Sequence, residues 1–119
     1  MLLLDNLYYV VNRHLVDDEQ WRVMIKFNTS HPVFDGHFPD HPIVPGACLV
    51  QMAQELTSVL RQEPIRFAKI SNLKFRQPIV PNMEVVFVIQ DTHYKIVDKT
   101  FTETYAQFKA TYMCSHPDL

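Results

Sequence analysis

Hydrophobic and polar positions alternate along much of this chain with the period of a β-strand. In the segment 21–27 the odd positions are apolar, whereas Arg22 and Lys26 point to the opposite face. The segment 100–114 ends in the same alternation, with Ala106 and Phe108 on the apolar face. The apolar, β-prone stretches 2–11, 65–75 and 83–92 complete a set of five predicted strands, of which the first two are joined by a turn at 17–19.

One segment, 47–62, has a helical period instead. It contains no glycine or proline, its apolar positions Leu49, Ala53, Leu56 and Leu60 recur at helical spacing, and Pro64 follows its end. One long helix and about five strands, mostly joined by short turns, predict an α+β fold in which an antiparallel sheet packs on the helix. Because such a sheet leaves an open edge, we expect a dimer that continues the sheet.

Length and charge restrict the class of protein. A chain of 119 residues forms one domain, here 1–119, and a net charge of −2 gives no general case for nucleic acid or an anionic membrane. The first residues carry four apolar side chains before Asp5, too few for a secretory signal or a membrane span. Cys48 and Cys114 lack metal-type spacing and are interpreted as free thiols. We therefore expect a cytoplasmic protein.

Both glycines of the chain, Gly36 and Gly46, lie in one stretch, together with three of the eight prolines. Glycine permits backbone positions that a side chain would forbid and proline locks them, so this composition predicts a fixed loop. The loop would present His37 just before the helix, whose first amides can hold an oxygen that gains negative charge. His37 is therefore a candidate acid–base residue, the alternative being a loop histidine bonded to a carbonyl.

Gln51 and Glu55 are one turn apart and so share a side of the helix. Since Gln54, Ser58 and Gln62 lie on or near that side, the pattern by itself favours a plain solvated face. The alternative is a carboxyl group in partly apolar surroundings, which raise a carboxyl pKa and keep the group available as a proton donor.

Two further groups of residues invite a functional interpretation. The histidines near the loop match no common ligand spacing, so no metal site is predicted. Five of the eleven basic residues fall between 61 and 76. They form either an ordinary solvated surface or a docking surface for an acidic partner. They are Arg61, Arg66, Lys69, Lys74 and Arg76.

Three segments resemble the 3-hydroxyacyl-[acyl carrier protein] dehydratases of the FabZ/FabA type. GHFP at 36–39 with PIVPG at 42–46 resembles their signature, KFRQPIVP at 74–81 resembles a second block, and LLLD at 2–5 is similar to the start of their first strand. The resemblance implies a hotdog fold, in which a long helix is wrapped by an antiparallel sheet and sites lie between the two protomers of a homodimer. A trimer of dimers is left open.

The same resemblance implies a reaction, the removal of water from a 3-hydroxyacyl thioester to give a trans-2-enoyl thioester in fatty acid or polyene biosynthesis. His37 would remove the α-proton and the amide of Gly46 would bind the thioester carbonyl oxygen, with no metal or organic cofactor. The basic residues between 61 and 76 would meet the acidic acyl carrier protein. Candidates to contact the acyl chain are Phe34, Phe38, Val44, Pro45 and Met52.

One position departs from the family pattern. The helix acid of the family falls at position 51, which is glutamine here, and Glu55 stands where the family usually has glutamine. An amide has no proton to give at a useful pH. Three interpretations stay open: Glu55 is the relocated acid and Gln51 assists it, His37 handles both protons, or the pocket binds acyl chains without dehydrating them. The rival functions are a hotdog thioesterase and a non-catalytic acyl-binding or assembly subunit.

Overall fold

The computed structural model of the chain describes residues 2–35 and 40–114, which form one helix, a short 3₁₀ turn and a sheet of six strands. In chain order the elements are β1 (Tyr8–Val16), β2 (Gln20–Phe27), the 3₁₀ turn (Pro32–Phe34), α1 (Gly46–Arg61), β3 (Ile65–Phe75), β4 (Glu84–Gln90), β5 (His93–Asp98) and β6 (Thr104–Cys114). Within these residues no helix is long and apolar enough to cross a membrane. The α+β prediction is confirmed.

The sheet has the strand order β1-β2-β4-β5-β6-β3, and every neighbouring pair is antiparallel. The predicted turn at 17–19 joins β1 to β2, with Asp17 and Asp18 both in the left-handed region at φ 54° and 57°. Two such residues match the right-handed twist of a hairpin. β1 and β3 are the two edges of the sheet in the described part of the chain.

The core lies between α1 and one face of this sheet. The predicted helical stripe is confirmed, since Leu49, Ala53 and Leu56 are buried and Leu60 packs against the same cluster. From β2, Val23, Ile25 and Phe27 are buried as their alternation predicts, and the half-buried Trp21 packs against the same cluster. Each fully buried aliphatic or aromatic side chain contributes about 1.5–3 kcal/mol, so this face holds the helix on the sheet.

The first strand differs from its prediction. It runs over Tyr8–Val16 rather than 2–11. Residues before Tyr8 form a turn instead, in which the carbonyl of Leu3 accepts from the amides of Asn6 and Leu7 at 3.0 and 2.7 Å. The polar residues 12–14 belong to the strand because β1 is an edge, where exposed polar side chains are tolerated.

The predicted strand at 83–92 is also wrong in extent, because β4 ends at Gln90 and a separate strand, β5, follows. The turn between them has Asp91 at φ 53° and carries no glycine or proline to mark it. The sixth strand was therefore missed. The last strand begins at Thr104 rather than at 100, because the residues after Asp98 form a turn.

Candidate functional site

His37 and Phe38 lie outside the described residues, as do Gly36 and Pro39. The role of His37 as a base and that of Phe38 as an acyl contact therefore stay predictions. The described part of the site consists of the helix that follows the loop and the segments that cross it.

The start of α1 is set by Pro45 and Gly46. Pro45 is extended, and its carbonyl accepts from the amides of Cys48 and Leu49 at 3.0 and 3.3 Å. The approach to the helix is fastened by Val44, whose N–H donates to the carbonyl of Ile79 at 2.8 Å. The first amides of a helix have no partner within it and carry the positive end of its dipole, so this end suits a developing oxyanion.

A Cβ at Gly46 would meet a neighbouring ring that has to move, whereas the backbone there is not left-handed. Its φ is not positive, whereas a Cβ at this position would lie 2.5 and 2.8 Å from ring carbons of Phe75. Gly46, Val44 and Phe75 line a cavity of about 330 Å³ at the helix start. The ring of Phe75 is half-exposed, so it forms a movable wall of this cavity.

Glu55 is buried, with only 7% of its surface exposed. Its Oε2 accepts from the backbone N–H of Leu3 at 2.8 Å and from Nε2 of Gln51 at 3.0 Å. Its Oε1 accepts from the backbone N–H of Leu4 and from the hydroxyl of Tyr8, both at 2.9 Å. These four donors occupy the acceptor positions that a carboxylate offers. The prediction of a plain solvated face is therefore wrong at Glu55.

Tyr8 supplies one of those donors from the start of β1. Burial is the main cause that raises the pKa of the Tyr8 phenol, and the negative charge of Glu55 and the hydrogen bond to it raise that pKa further. Tyr8 therefore stays neutral and donates, which suits an ionised partner. A carboxylate that accepts from four donors is satisfied as an anion, and a proton on it would displace one of them.

Gln51 lies on the same side of α1 as Glu55, as their spacing predicts, and the hydrogen bond between them confirms it. Both line a cavity of about 540 Å³, here named the Gln51 cavity. Its other lining residues come from the first residues of the chain, from α1 and from β3: Leu2, Ala47, Val50, Gln54, Phe67 and Ile70. The Gln51 cavity thus combines apolar walls with the polar side chains of Gln51, Gln54 and Glu55.

Those predicted acyl contacts that the structure describes lie in different places. Val44 lines the cavity at the helix start, whereas Phe34 and Met52 are buried in the core, Met52 completely. Pro45 is half-buried next to Gly46. An acyl-binding role for these residues stays a prediction.

Leu2 and Tyr8 were missed as candidates. Nothing local in the sequence marks them, because their place at Glu55 depends on how the first residues of the chain cross the helix.

The five basic residues between 61 and 76 are all exposed. Arg61 ends α1, where it lies 3.4 Å from the carboxylate of Glu63 and donates to the hydroxyl of Tyr112 at 3.3 Å. The remaining four lie on β3 or directly after it: Arg66, Lys69, Lys74 and Arg76. A surface of this kind suits an acidic partner, and the docking role stays a prediction.

Two other chemistries find little support in the described residues. No group of three or more histidine, cysteine or acidic side chains is placed there to hold a metal ion. Cys48, in the first turn of α1, is a free thiol whose pKa is raised by burial. A raised pKa keeps the thiol protonated and therefore a poor nucleophile.

Comparisons with known proteins agree with this architecture. The sequence profile of the ApeI-like family, described as ApeI dehydratase, matches residues 13–115. The chain is 29% identical over 100 residues to a 3-hydroxyacyl-[acyl-carrier-protein] dehydratase FabZ from Aromatoleum aromaticum, covering 74% of this chain and 69% of that protein. A FabZ from Geobacter metallireducens is 31% identical over 101 residues, covering 70% and 67%.

A solved structure shows the same fold. The dehydratase heterocomplex ApeI:P from Xenorhabdus doucetiae superposes with a TM-score of 0.73 at 19% identity, covering 89% of this chain and 96% of that one. One helix against an antiparallel sheet is thus the hotdog fold that the sequence motifs imply.

Proposed function

Since the chain belongs to the ApeI-like dehydratase family, we propose that it removes water from 3-hydroxyacyl thioesters carried on acyl carrier protein. The product is a trans-2-enoyl thioester. The observation that carries the proposal is the family match, which spans both the histidine loop and α1. The relatives named as 3-hydroxyacyl-[acyl-carrier-protein] dehydratases support this substrate class.

The reaction consists of two proton transfers and one bond cleavage. His37 takes the α-proton, and the electron pair of that C–H bond moves toward the thioester carbonyl, giving enolate character on its oxygen. The amide of Gly46 and the helix N-terminus stabilise this charge. The C–O bond at carbon 3 then breaks and the hydroxyl leaves as water after it gains a proton. No oxidant or reductant takes part.

The contacts of Glu55 support the interpretation in which His37 handles both protons. A relocated acid would have to hold a proton, yet all four groups bound to Glu55 are donors. Gln51 can bind the leaving hydroxyl but has no proton to give. The proton that His37 removes is then the one it returns to the departing oxygen.

We also propose a cytoplasmic homodimer that forms through β3. This strand has β6 as its one partner in the described sheet. It exposes the apolar side chains of Ile70, Leu73 and Phe75. A second copy that pairs with this open edge around Ile70 would continue the sheet, and the end of the strand at Lys74 and Arg76 would stay accessible to a carrier protein.

The test is turnover of a 3-hydroxyacyl-carrier protein by the wild type and by Glu55→Gln, His37→Ala and Tyr8→Phe, followed by mass spectrometry of the thioester. We expect enoyl product from the wild type and none from His37→Ala. Glu55→Gln loses about 2 kcal/mol of stability because an amide cannot accept from four donors. Its folded fraction keeps turning over.

Tyr8→Phe is the matched control, because it removes one donor and leaves the carboxylate in place. If Glu55→Gln is folded yet inactive while Tyr8→Phe is active, Glu55 is the acid and the two-proton role of His37 is wrong. Release of free acid and thiol in the same assay would identify a thioesterase.

A non-catalytic acyl-binding or assembly subunit is the second candidate, favoured by Gln51 at the acid position and by the engaged carboxylate of Glu55. The Xenorhabdus dehydratase is itself a heterocomplex. In such an assembly a related subunit would supply the missing acid. This chain alone would then bind the thioester without turnover, and His37→Ala would not change binding.

A further inference from the structure

The first residues of the chain are tied to the helix at one point, the carboxylate of Glu55. Leu3 and Leu4 donate their backbone N–H groups to its two different oxygens, and Tyr8 donates to the oxygen that Leu4 uses. The side chains of Leu3 and Leu4 pack against the core cluster. The carboxylate of Glu55, together with this apolar packing, therefore sets where the segment crosses α1.

Leu2 is the residue placed by that attachment. Its side chain is 65% exposed and lines two cavities that adjoin on the helix surface. One is the Gln51 cavity of about 540 Å³. The other, here named the Ser58 cavity, measures about 410 Å³ and continues toward the helix end with Leu4, Ser58, Val59 and Ile65 in its wall.

The two cavities share Leu2, Gln54 and Glu55 and no other lining residue. Gln54 is held by the backbone N–H of Phe67, which donates to its Oε1 at 2.8 Å, and Glu55 is held by its four donors. Of the three, only Leu2 presents an apolar side chain to solvent. Leu2 is thus the apolar part of the divide between the cavities.

We propose that Leu2 sets the length of the acyl chain that this protein accepts, and that Glu55 is the positioning residue that holds Leu2 in place. The inference rests on the proposed function, because it takes the occupant of the Gln51 cavity to be the acyl chain of the thioester. The chain enters beside Ala47 and Gln51 and ends against Leu2.

The dimensions agree with a length limit. The Gln51 cavity follows α1 from Ala47 to Glu55, about 12 Å at the rise of a helix. The Ser58 cavity extends this path to Val59, about one further turn. Removing the Leu2 side chain takes away the apolar part of the divide between the two cavities, whereas enlarging it shortens the first.

The experiment measures binding of saturated acyl-carrier thioesters of increasing length, which cannot be dehydrated, to the wild type, Leu2→Ala and Leu2→Trp. We expect Leu2→Ala to favour longer chains and Leu2→Trp shorter ones. Each shift should be about tenfold in the ratio of dissociation constants for chains that differ by two methylenes. Leu15→Ala is the matched control, because Leu15 is an exposed leucine on β1 that lines a different cavity.

Glu55→Gln and Tyr8→Phe test the positioning role. Glu55→Gln releases the first residues of the chain. The dissociation constants of acyl thioesters for this variant should therefore differ less between chain lengths than those for the wild type. Tyr8→Phe retains both backbone contacts of Glu55 and should keep the wild-type preference. A merely structural role would lower thermal stability in both variants and leave the ratio of dissociation constants unchanged.

The outcomes separate this inference from the proposed function. If the wild type dehydrates 3-hydroxyacyl thioesters and all variants share its length preference, the inference fails and the function stands. If the wild type does not dehydrate but Leu2→Ala and Leu2→Trp shift binding in opposite directions, the inference holds and the function fails. No binding of any acyl thioester would overturn both.

Discussion

At the scale of single residues, close contacts decide the identity of the side chains around the helix start. At Gly46 the ring of Phe75 lies where a Cβ would be. At Glu55 two backbone amides, a phenol and a side-chain amide all donate to the carboxylate. Phe75 and three of the four donors to Glu55 come from distant parts of the sequence.

Gly46→Ala tests the first of these contacts. We expect the melting temperature to change by no more than a few degrees, because the half-exposed ring can turn away and alanine gains up to about 1 kcal/mol of helix propensity over glycine. Turnover should fall about tenfold or more, since displacement of about 1 Å near an oxyanion donor is costly. Thermal unfolding and steady-state kinetics measure the two effects.

The double variant Gly46→Ala/Phe75→Ala supplies the control, because it removes the ring that the new methyl group meets. Part of the lost turnover should return. Unchanged turnover in Gly46→Ala alone would show that the ring of Phe75 does not define the helix start in solution.

At the scale of elements, polar side chains as well as apolar ones join the helix to the strands. Gln54 accepts from the backbone N–H of Phe67, and Ser58 accepts from that of Ile65 at 2.9 Å, so α1 binds the first residues of β3. Thr57 and Tyr94 share a buried hydrogen bond of 2.8 Å between α1 and β5. Gln54 and Ser58 lie on the side of the helix that the sequence pattern assigns to solvent, and this side therefore contacts β3.

The turn between β5 and β6 is organised by Asp98 in the same way. Its carboxylate accepts from the backbone N–H groups of Thr102 and Glu103, both at 2.8 Å, and from the hydroxyls of Thr100 and Thr102. The Glu103 amide, followed by the Thr100 hydroxyl, holds the pKa of Asp98 well below its usual value. The stabilisation is thus present above the unfolded-state pKa of about 4 and is lost as pH falls below it.

The wild type should lose stability as the pH falls from about 4 to 2. Asp98→Asn should lose less stability over this range, because an amide has no charge to lose. Stability at neutral pH should also fall, since one carbonyl oxygen replaces two acceptors. Urea unfolding over this pH range measures both. Asp91→Asn, in the turn between β4 and β5, is the control, and an equal effect there would show that the Asp98 contacts are not responsible.

At the scale of the whole molecule, the strand order leaves β3 at an edge with its basic residues exposed. Lys74 pairs in register with Gln107 of β6, and the backbone N–H of Arg76 donates to the carbonyl of Tyr105 at 2.8 Å. Both residues thus lie beside the cavity at the helix start, which Phe75 and Arg76 line. A carrier protein bound there would deliver its thioester to Gly46.

Charge reversal tests this surface. Lys74→Glu/Arg76→Glu should raise KM for an acyl-carrier substrate about tenfold at low salt, with a smaller effect at high salt, where charges are screened. KM for a short pantetheine thioester should not change. Lys95→Glu/Lys109→Glu makes the same charge change at exposed positions of β5 and β6. An unchanged KM for Lys74→Glu/Arg76→Glu would contradict docking on β3.

The sequence by itself determined the features that depend on local spacing. Helical periodicity placed α1 within one residue at each end and selected its core stripe. Strand alternation placed β2, an apolar, β-prone stretch placed β3, and the motifs around Gly46 indicated the family. These patterns can be read from the sequence because each depends on residues that are near neighbours in the chain.

Tertiary structure alone decided the features that join distant segments. The first residues of the chain do not belong to the predicted strand, because the amides of Leu3 and Leu4 bind Glu55, some fifty positions away. The β4–β5 hairpin lacked a glycine or proline signal, since a left-handed aspartate makes its turn. Whether Glu55 is solvated or buried depends on which segment crosses the helix, and periodicity along one helix contains no information about what packs on it.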